Sequence, residues 1–185
     1  MKINVTSQDE LIDIAKRVLL KEGIDALSIR RLAKECDISV GVFYNYFETK
    51  ADLIFAIVSS FWKGVMETSD LAKQNNICDF VDILYTTLVD KLEEFEETWL
   101  MQMSLLNYTE KQKGKELEQQ CFSHIMNEMI IVMNRDKQIS KNAFDDLLTQ
   151  ESITHFILMN IISMARGHCH NCEGLVEILK RVLYK

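Results

Sequence analysis

The sequence predicts an all-α protein of about nine helices, on three observations. The 185 residues contain no proline and only six glycines, so the hard breaks that remove a backbone N–H and clash with the preceding turn are missing. Apolar residues recur at helical spacing along most of the chain, and no run alternates long enough to make a half-buried strand. Short polar stretches separate the periodic runs: Gln74–Asn76, Lys111–Gly114, Asp136–Asn142 and His168–Cys172.

The first helix opens at Ser7, which with Glu10 has the form of a capping box. Leu11, Ile14, Ala15, Val18 and Leu19 form its apolar face, and Gly23 follows its last turn as a C-cap. Ser28 caps a short second helix with Ile29, Leu32, Ala33 and Cys36 on one face. Asp37, a residue that tolerates the left-handed conformation, ends it. Ser39 caps a third short helix bearing Phe43 and Phe47, and Thr49 opens a fourth running toward Leu71. Further helices are expected near 77–97, 99–109, 114–135, 143–168 and 173–184. The chain then divides into a three-helix head, residues 1–48, and a helical bundle, residues 49–185, with the helix from Thr49 joining the two.

With 48% apolar and 26% charged residues the composition is that of a soluble globular protein. Met1–Ser7 is short and polar with no apolar stretch after it, and no apolar run approaches the roughly 18 residues of a membrane span. A cytoplasmic location follows as the expectation. Five cysteines at irregular positions do not form a secreted disulfide framework, so reduced thiols are expected. The net charge of −7 is unevenly spread: residues 1–50 carry eight Lys/Arg against eight Asp/Glu, and residues 51–185 carry 13 against 20. A neutral head on an acidic body is compatible with a polyanion-binding head, though it does not demand one.

The informative segment is residues 28–47, SIRRLAKECDISVGVFYNYF. Two short helices joined by a three- or four-residue turn pack by burying one face of each. Leu32, Ile38 and Phe43 supply the apolar contacts, and Ala33 is small where the helices cross. That leaves Val40, Gly41, Tyr44 and Asn45 on the outer face of the third helix, the face a recognition helix turns to a major groove. A plain helical hairpin with a solvated face is the bland alternative.

From about Thr6 to Leu71 the chain closely resembles the DNA-binding domain of the TetR family of transcriptional regulators. The resemblance rests on Gly23, Leu27, Ser28, Leu32, Ala33, Ile38, Ser39, Gly41, Phe43, Tyr44, Tyr46, Phe47, Lys50 and Leu53 at fixed spacing. It implies a homodimeric, ligand-responsive repressor that binds a palindromic operator in double-stranded DNA. It places Arg30 where family members reach a base or phosphate, and an arginine can read guanine bidentately. Ser39, Tyr44 and Lys50 match phosphate-contacting positions, which set register without reading sequence. Ser28 joins this DNA-facing set at the start of the second helix. Lys50 also makes physical sense unaided, because a cation in the first turn of a helix is disfavoured by the dipole and implies another task. Val40 and Val42 are placed to touch a thymine methyl, and Gly41 permits close backbone approach. Two positions depart from the pattern: Asp37 stands where the family often has glycine, and Asn45 where it is commonly aromatic. Arg31 and Lys34 read as solvated helix charges.

By the same resemblance the remainder is an effector-binding and dimerisation domain. Phe61, Trp62, Met66, Tyr85, Trp99, Met103, Phe122 and Met126 are its candidate pocket residues, suited to a hydrophobic or amphipathic effector. Ordinary core packing is the competing reading for each. Leu175, Ile178, Leu179 and Val182 form an apolar stripe on the last helix and are the candidate dimer residues. Ser163, Ala165 and Gly167 are small enough to admit a neighbouring helix.

No metal site, cofactor or catalytic residue is expected. His168, Cys169, His170 and Cys172 concentrate four potential ligands in five residues, but near-consecutive positions rarely converge on one tetrahedral ion. Glu-x-x-His pairs, phosphate-cradling glycine loops and nucleophile elbows are missing from the sequence. Two other functions stand beside the regulator: a helical ligand-binding or interaction protein of the same fold without operator recognition, and a cofactor-using helical bundle.

Overall fold

Capping residues set most of the helix boundaries in the computed structural model, which describes residues 7–68, 71–95 and 108–184. Among these there are eight α-helices and no strand: α1 Gln8–Glu22, α2 Ile29–Glu35, α3 Val40–Tyr44, α4 Lys50–Thr68, α5 Ile77–Phe95, α6 Tyr108–Arg135, α7 Gln150–Arg166 and α8 Glu173–Leu183. Short 3-10 turns cover Ile24–Ala26 and Leu71–Lys73. The Ser7–Glu10 capping box forms, and Gly23 closes α1 at φ 85°, a conformation that glycine adopts without Cβ strain.

Several sequence expectations shift. The fourth helix stops at Thr68, and Leu71 belongs to a 3-10 turn instead of the helix. Tyr108–Arg135 is one helix, beginning about a turn and a half earlier than expected. The expected helix 99–109 lies outside the described residues up to position 107, and its last two positions are the start of α6. The helix expected from 143 begins at Gln150, because Asp145 and Thr149 offer the backbone other partners. The Asp145 carboxylate accepts from the Leu147 and Leu148 N–H groups at 2.8 and 2.7 Å. The Thr149 hydroxyl then caps α7 by accepting from Ser152 N–H at 3.1 Å.

The chain divides into two compact units, Met1–Trp62 with Glu93–Leu117 and Lys63–Leu92 with Glu118–Lys185, so that α4 contributes residues to both. In the first, Leu11, Leu27, Leu32, Phe43, Phe47, Leu53, Ile54 and Ile57 are fully buried, each worth roughly 1.5–3 kcal/mol relative to exposure. Lys16 Nζ on α1 donates to Ser60 Oγ on α4 at 2.6 Å, fixing the register of those two helices. In the second, Phe80, Leu84, Ile125, Met129, Ile157, Ile161, Leu179 and Leu183 are buried. Asp136 locks this unit's ends together. Its carboxylate accepts from Ile77 N–H at 3.0 Å, Gln138 N–H at 3.0 Å and the Tyr184 hydroxyl at 2.5 Å. Burial and this bond to a carboxylate push the Tyr184 phenol well above its ordinary pKa. No helix among the described residues is long and apolar enough to cross a membrane.

Candidate nucleic-acid interface

The turn between α2 and α3 sets the geometry of the head. Asp37 takes φ 54°. Its N–H donates to Lys34 O at 3.2 Å, and Ile38 N–H reaches back to Ala33 O at 3.0 Å. This pair of bonds is a Schellman closure with aspartate in the left-handed slot that glycine usually fills. The chain leaves α2 sharply, Ser39 Oγ accepts from Val42 N–H at 3.1 Å, and α3 starts at once. Phe43 is 0% exposed and its ring lies 5.6 Å from that of Phe47. Leu32 and Ala33 of α2 are buried with it, and α3 packs on α2. Ile38 is half-buried.

Burying Phe43 decides what the rest of α3 presents. Val40, Gly41, Val42, Tyr44 and Asn45 are all exposed, Tyr44 at 49%. Tyr46 joins this row, which the sequence reading left out of the DNA-facing set. Its signal was present in the alternation of Phe43 and Phe47, both inward, with the tyrosines between them. A Cβ added to Gly41 would meet only Ser39 Oγ at 3.8 Å, ordinary contact, so nothing within the head requires glycine there. Ser28 Oγ likewise caps α2, accepting from Arg31 N–H at 3.3 Å. In both serines the cap uses a lone pair and leaves the hydroxyl proton able to donate to an outside acceptor.

The neighbouring arginines separate. Arg31 is paired with Glu22 at the end of α1, so this solvent-facing charge also ties two helices together. That hydrogen bond lowers the Glu22 pKa and raises that of Arg31. Arg30 is exposed. Lys50, half-buried, is the first residue of α4. The helix start is held by a reciprocal box: Thr49 N–H donates to Asp52 Oδ2 at 2.9 Å and Asp52 N–H to Thr49 Oγ1 at 3.1 Å. A three-helix head with an exposed, mixed apolar and hydrogen-bonding face on its last short helix has the shape and chemistry for base edges in a groove.

Residues 11–57 match the family model of bacterial regulatory proteins, tetR family. The chain is 30% identical over 73 residues to the probable HTH-type transcriptional regulator YttP of Bacillus subtilis (strain 168), covering 40% of this chain and 35% of that protein. It is 32% identical over 54 residues to the HTH-type transcriptional regulator SAB2452 of Staphylococcus aureus (strain bovine RF122 / ET3-1), covering 29% of each. The head, over residues 11–57, is thus similar to those of the tetR family of bacterial regulatory proteins. The matches span about a third of the length of these curated relatives. Beyond the head, the fold is shared with the fatty acid degradation regulator FadR from Bacillus halodurans, at TM-score 0.66 and 14% identity over 96% of this chain and 95% of that one.

The remaining candidate residues fall into different environments. In the first unit Phe61 and Trp62 are buried with their rings edge to face at 5.2 Å. In the second unit Met66, Phe122 and Met126 are half-buried. Tyr85 is buried and its hydroxyl donates to Cys169 O. Trp99 and Met103 lie outside the described residues. The stripe on α8 divides in two. Leu175 and Leu179 are buried within the chain, as is Leu183, while Ile178 and Val182 are 50% and 41% exposed. Of the stripe read from sequence, Ile178 and Val182 thus keep most of the exposed surface. Among the described residues no three His, Cys, Asp or Glu side chains gather as a metal would need.

Proposed function

We propose that this chain is a ligand-responsive transcriptional repressor of the TetR type in the cytoplasm, a dimer without catalytic activity that binds a palindromic operator through α3. The exposed face of α3 over a fully buried Phe43 carries this reading. In the proposed complex Val40 and Val42 meet thymine methyls, Gly41 lets the backbone approach, and Asn45 and Arg30 address base edges. Ser28, Ser39, Tyr44 and Lys50 hold phosphates and set register.

The proposed dimer contact uses Ile178 and Val182 of α8 together with Phe156 of α7, all exposed, with Ser163 and Gly167 as the small residues that admit the partner helix. The effector is proposed to be hydrophobic or amphipathic and to bind in the body, residues 49–185, where the half-buried Met66, Phe122 and Met126 of the second unit offer adaptable walls. A hundredfold loss of operator affinity on effector binding requires about 2.7 kcal/mol of coupling, and operator must weaken effector binding equally.

The test is selection of genomic duplex fragments by the purified chain, followed by footprinting of the recovered site. The proposal expects two inverted half-sites on one face of the duplex, about one helical turn or a multiple apart. Recovery of no fragment above background would instead favour an interaction protein that keeps the fold without operator recognition, a reading for which the balanced charge of the head leaves room.

A further inference from the structure

Cys169 and Cys172 are three residues apart in the connection from α7 to α8 and differ sharply in environment. Cys169 alone of the five thiols is exposed, whereas Cys172 is completely buried. Both are pinned to the same stretch of α5. The Cys172 thiol donates to Asp82 Oδ1 at 3.6 Å, and the Tyr85 hydroxyl, one helical turn along, donates to Cys169 O. The backbone between them is equally determined. His168 takes φ 52°, its N–H donates to Ala165 O at 3.3 Å, and Cys169 N–H donates to Met164 O at 3.1 Å, a second Schellman closure. Cys172 is then the N-cap residue of α8. The loop thus holds an accessible sulfur close in sequence to a sheltered one that has a carboxylate as its hydrogen-bond acceptor.

We propose that Cys169 and Cys172 form a two-thiol oxidation site that a hydroperoxide converts to an intramolecular disulfide. The Cys169 sulfur attacks the outer peroxide oxygen and the O–O bond breaks. The alcohol, or water, departs with the thiol proton, leaving Cys169 as a sulfenic acid. The Cys172 sulfur then attacks that of Cys169 and the S–O bond breaks. Asp82 takes the Cys172 proton and passes it to the leaving hydroxide as water, so the peroxide gains the two electrons that the two thiols lose. Burial and Asp82 push the Cys172 thiol up to about 12, which keeps it unreactive until a neighbouring sulfenic acid presents itself. Closure withdraws the Cys172 sulfur from Asp82 and so alters the connection that starts α8. None of this depends on DNA binding.

The experiment treats the reduced full chain with hydrogen peroxide in the presence of dimedone, which traps sulfenic acids, and maps the products by peptide mass. The wild type should lose two hydrogens, yield a peptide linked internally between Cys169 and Cys172, and carry no dimedone. Reduction by dithiothreitol should restore the starting mass. Cys172→Ser should carry dimedone on Cys169, and Cys169→Ser should leave Cys172 unmodified. A wild-type chain that accumulates dimedone on Cys169, or links it to another chain or to Cys78 or Cys121, would overturn the proposal.

Discussion

Gly41 weakens the helix it sits in. A glycine inside a helix costs roughly 0.5–1 kcal/mol relative to alanine, and here an added methyl meets only Ser39 Oγ, at an ordinary contact distance of 3.8 Å. Gly41→Ala should therefore raise the stability of the head by about that amount in urea melts while lowering operator affinity in anisotropy titrations; unchanged affinity would mean that no surface approaches α3 at this point. Asp37 is the reverse case, a side chain held at φ 54° where glycine would rest without strain. Asp37→Gly should stabilise the fold by up to about 1 kcal/mol. It should also tighten DNA binding, most at low salt, because it removes an anion from the turn leading into α3. Buried thiols give the molecule an alkaline limit, Cys36 and Cys172 foremost among the three. Cys36 and Cys172 are pushed up by burial to about 11 and about 12, whereas an unfolded thiol ionises near about 8.5. Their stabilising contribution is complete below that lower value and is lost as pH rises toward the folded values, since only the unfolded chain then gains by ionising. Urea midpoints should hold steady from pH 7 to 8 and fall between about pH 9 and 11, with Cys36→Ala flattening the fall.

At the level of elements, α8 separates its own core from the proposed contact with a partner. Leu179 is fully buried, so Leu179→Ala should cost about 2–5 kcal/mol of protomer stability. The exposed pair Ile178→Asp and Val182→Asp should leave the melt nearly unchanged but shift sedimentation from dimer to monomer at micromolar concentration. A dimer that survives the double change would remove α8 from the interface. The same helix shows what the sequence can and cannot reveal. Period 3.6 identifies α8 as amphipathic, but residues one position apart are only 100° apart around the axis. Ile178 and Leu179 therefore join one apparent stripe although they face different surroundings. Caps were legible because Ser7, Ser28, Ser39 and Thr49 each act on backbone within three residues of themselves. The start of α7 was not, because Ala143, Phe144, Leu147 and Leu148 continue its apolar rhythm upstream while Asp145 turns the backbone away from the helix. Leu147 is left exposed as a result. The Arg31–Glu22 tie escaped for another reason: the partners sit nine residues apart on different helices, beyond any local pattern.

Across the whole molecule, charge and contacts are segregated. The first fifty residues are neutral in sum and the rest carries the −7, so attraction to a polyanion is expected from the local placement of cations such as Arg30 and Lys50 and not from a general field. That arrangement separates the two cations by role. A base-reading arginine acts on one sequence, whereas a phosphate-holding lysine acts on all of them and leaves its mark in the salt dependence. The most direct test is affinity for the selected operator and for scrambled duplex across a salt series, with wild type, Lys50→Ala and Arg30→Ala. Lys50→Ala should weaken both duplexes alike and reduce the salt slope by about one unit, while Arg30→Ala should cost roughly 1–3 kcal/mol on the operator and far less on the scrambled duplex. Affinities and slopes that neither change alters would contradict the assignment of this head as the DNA reader.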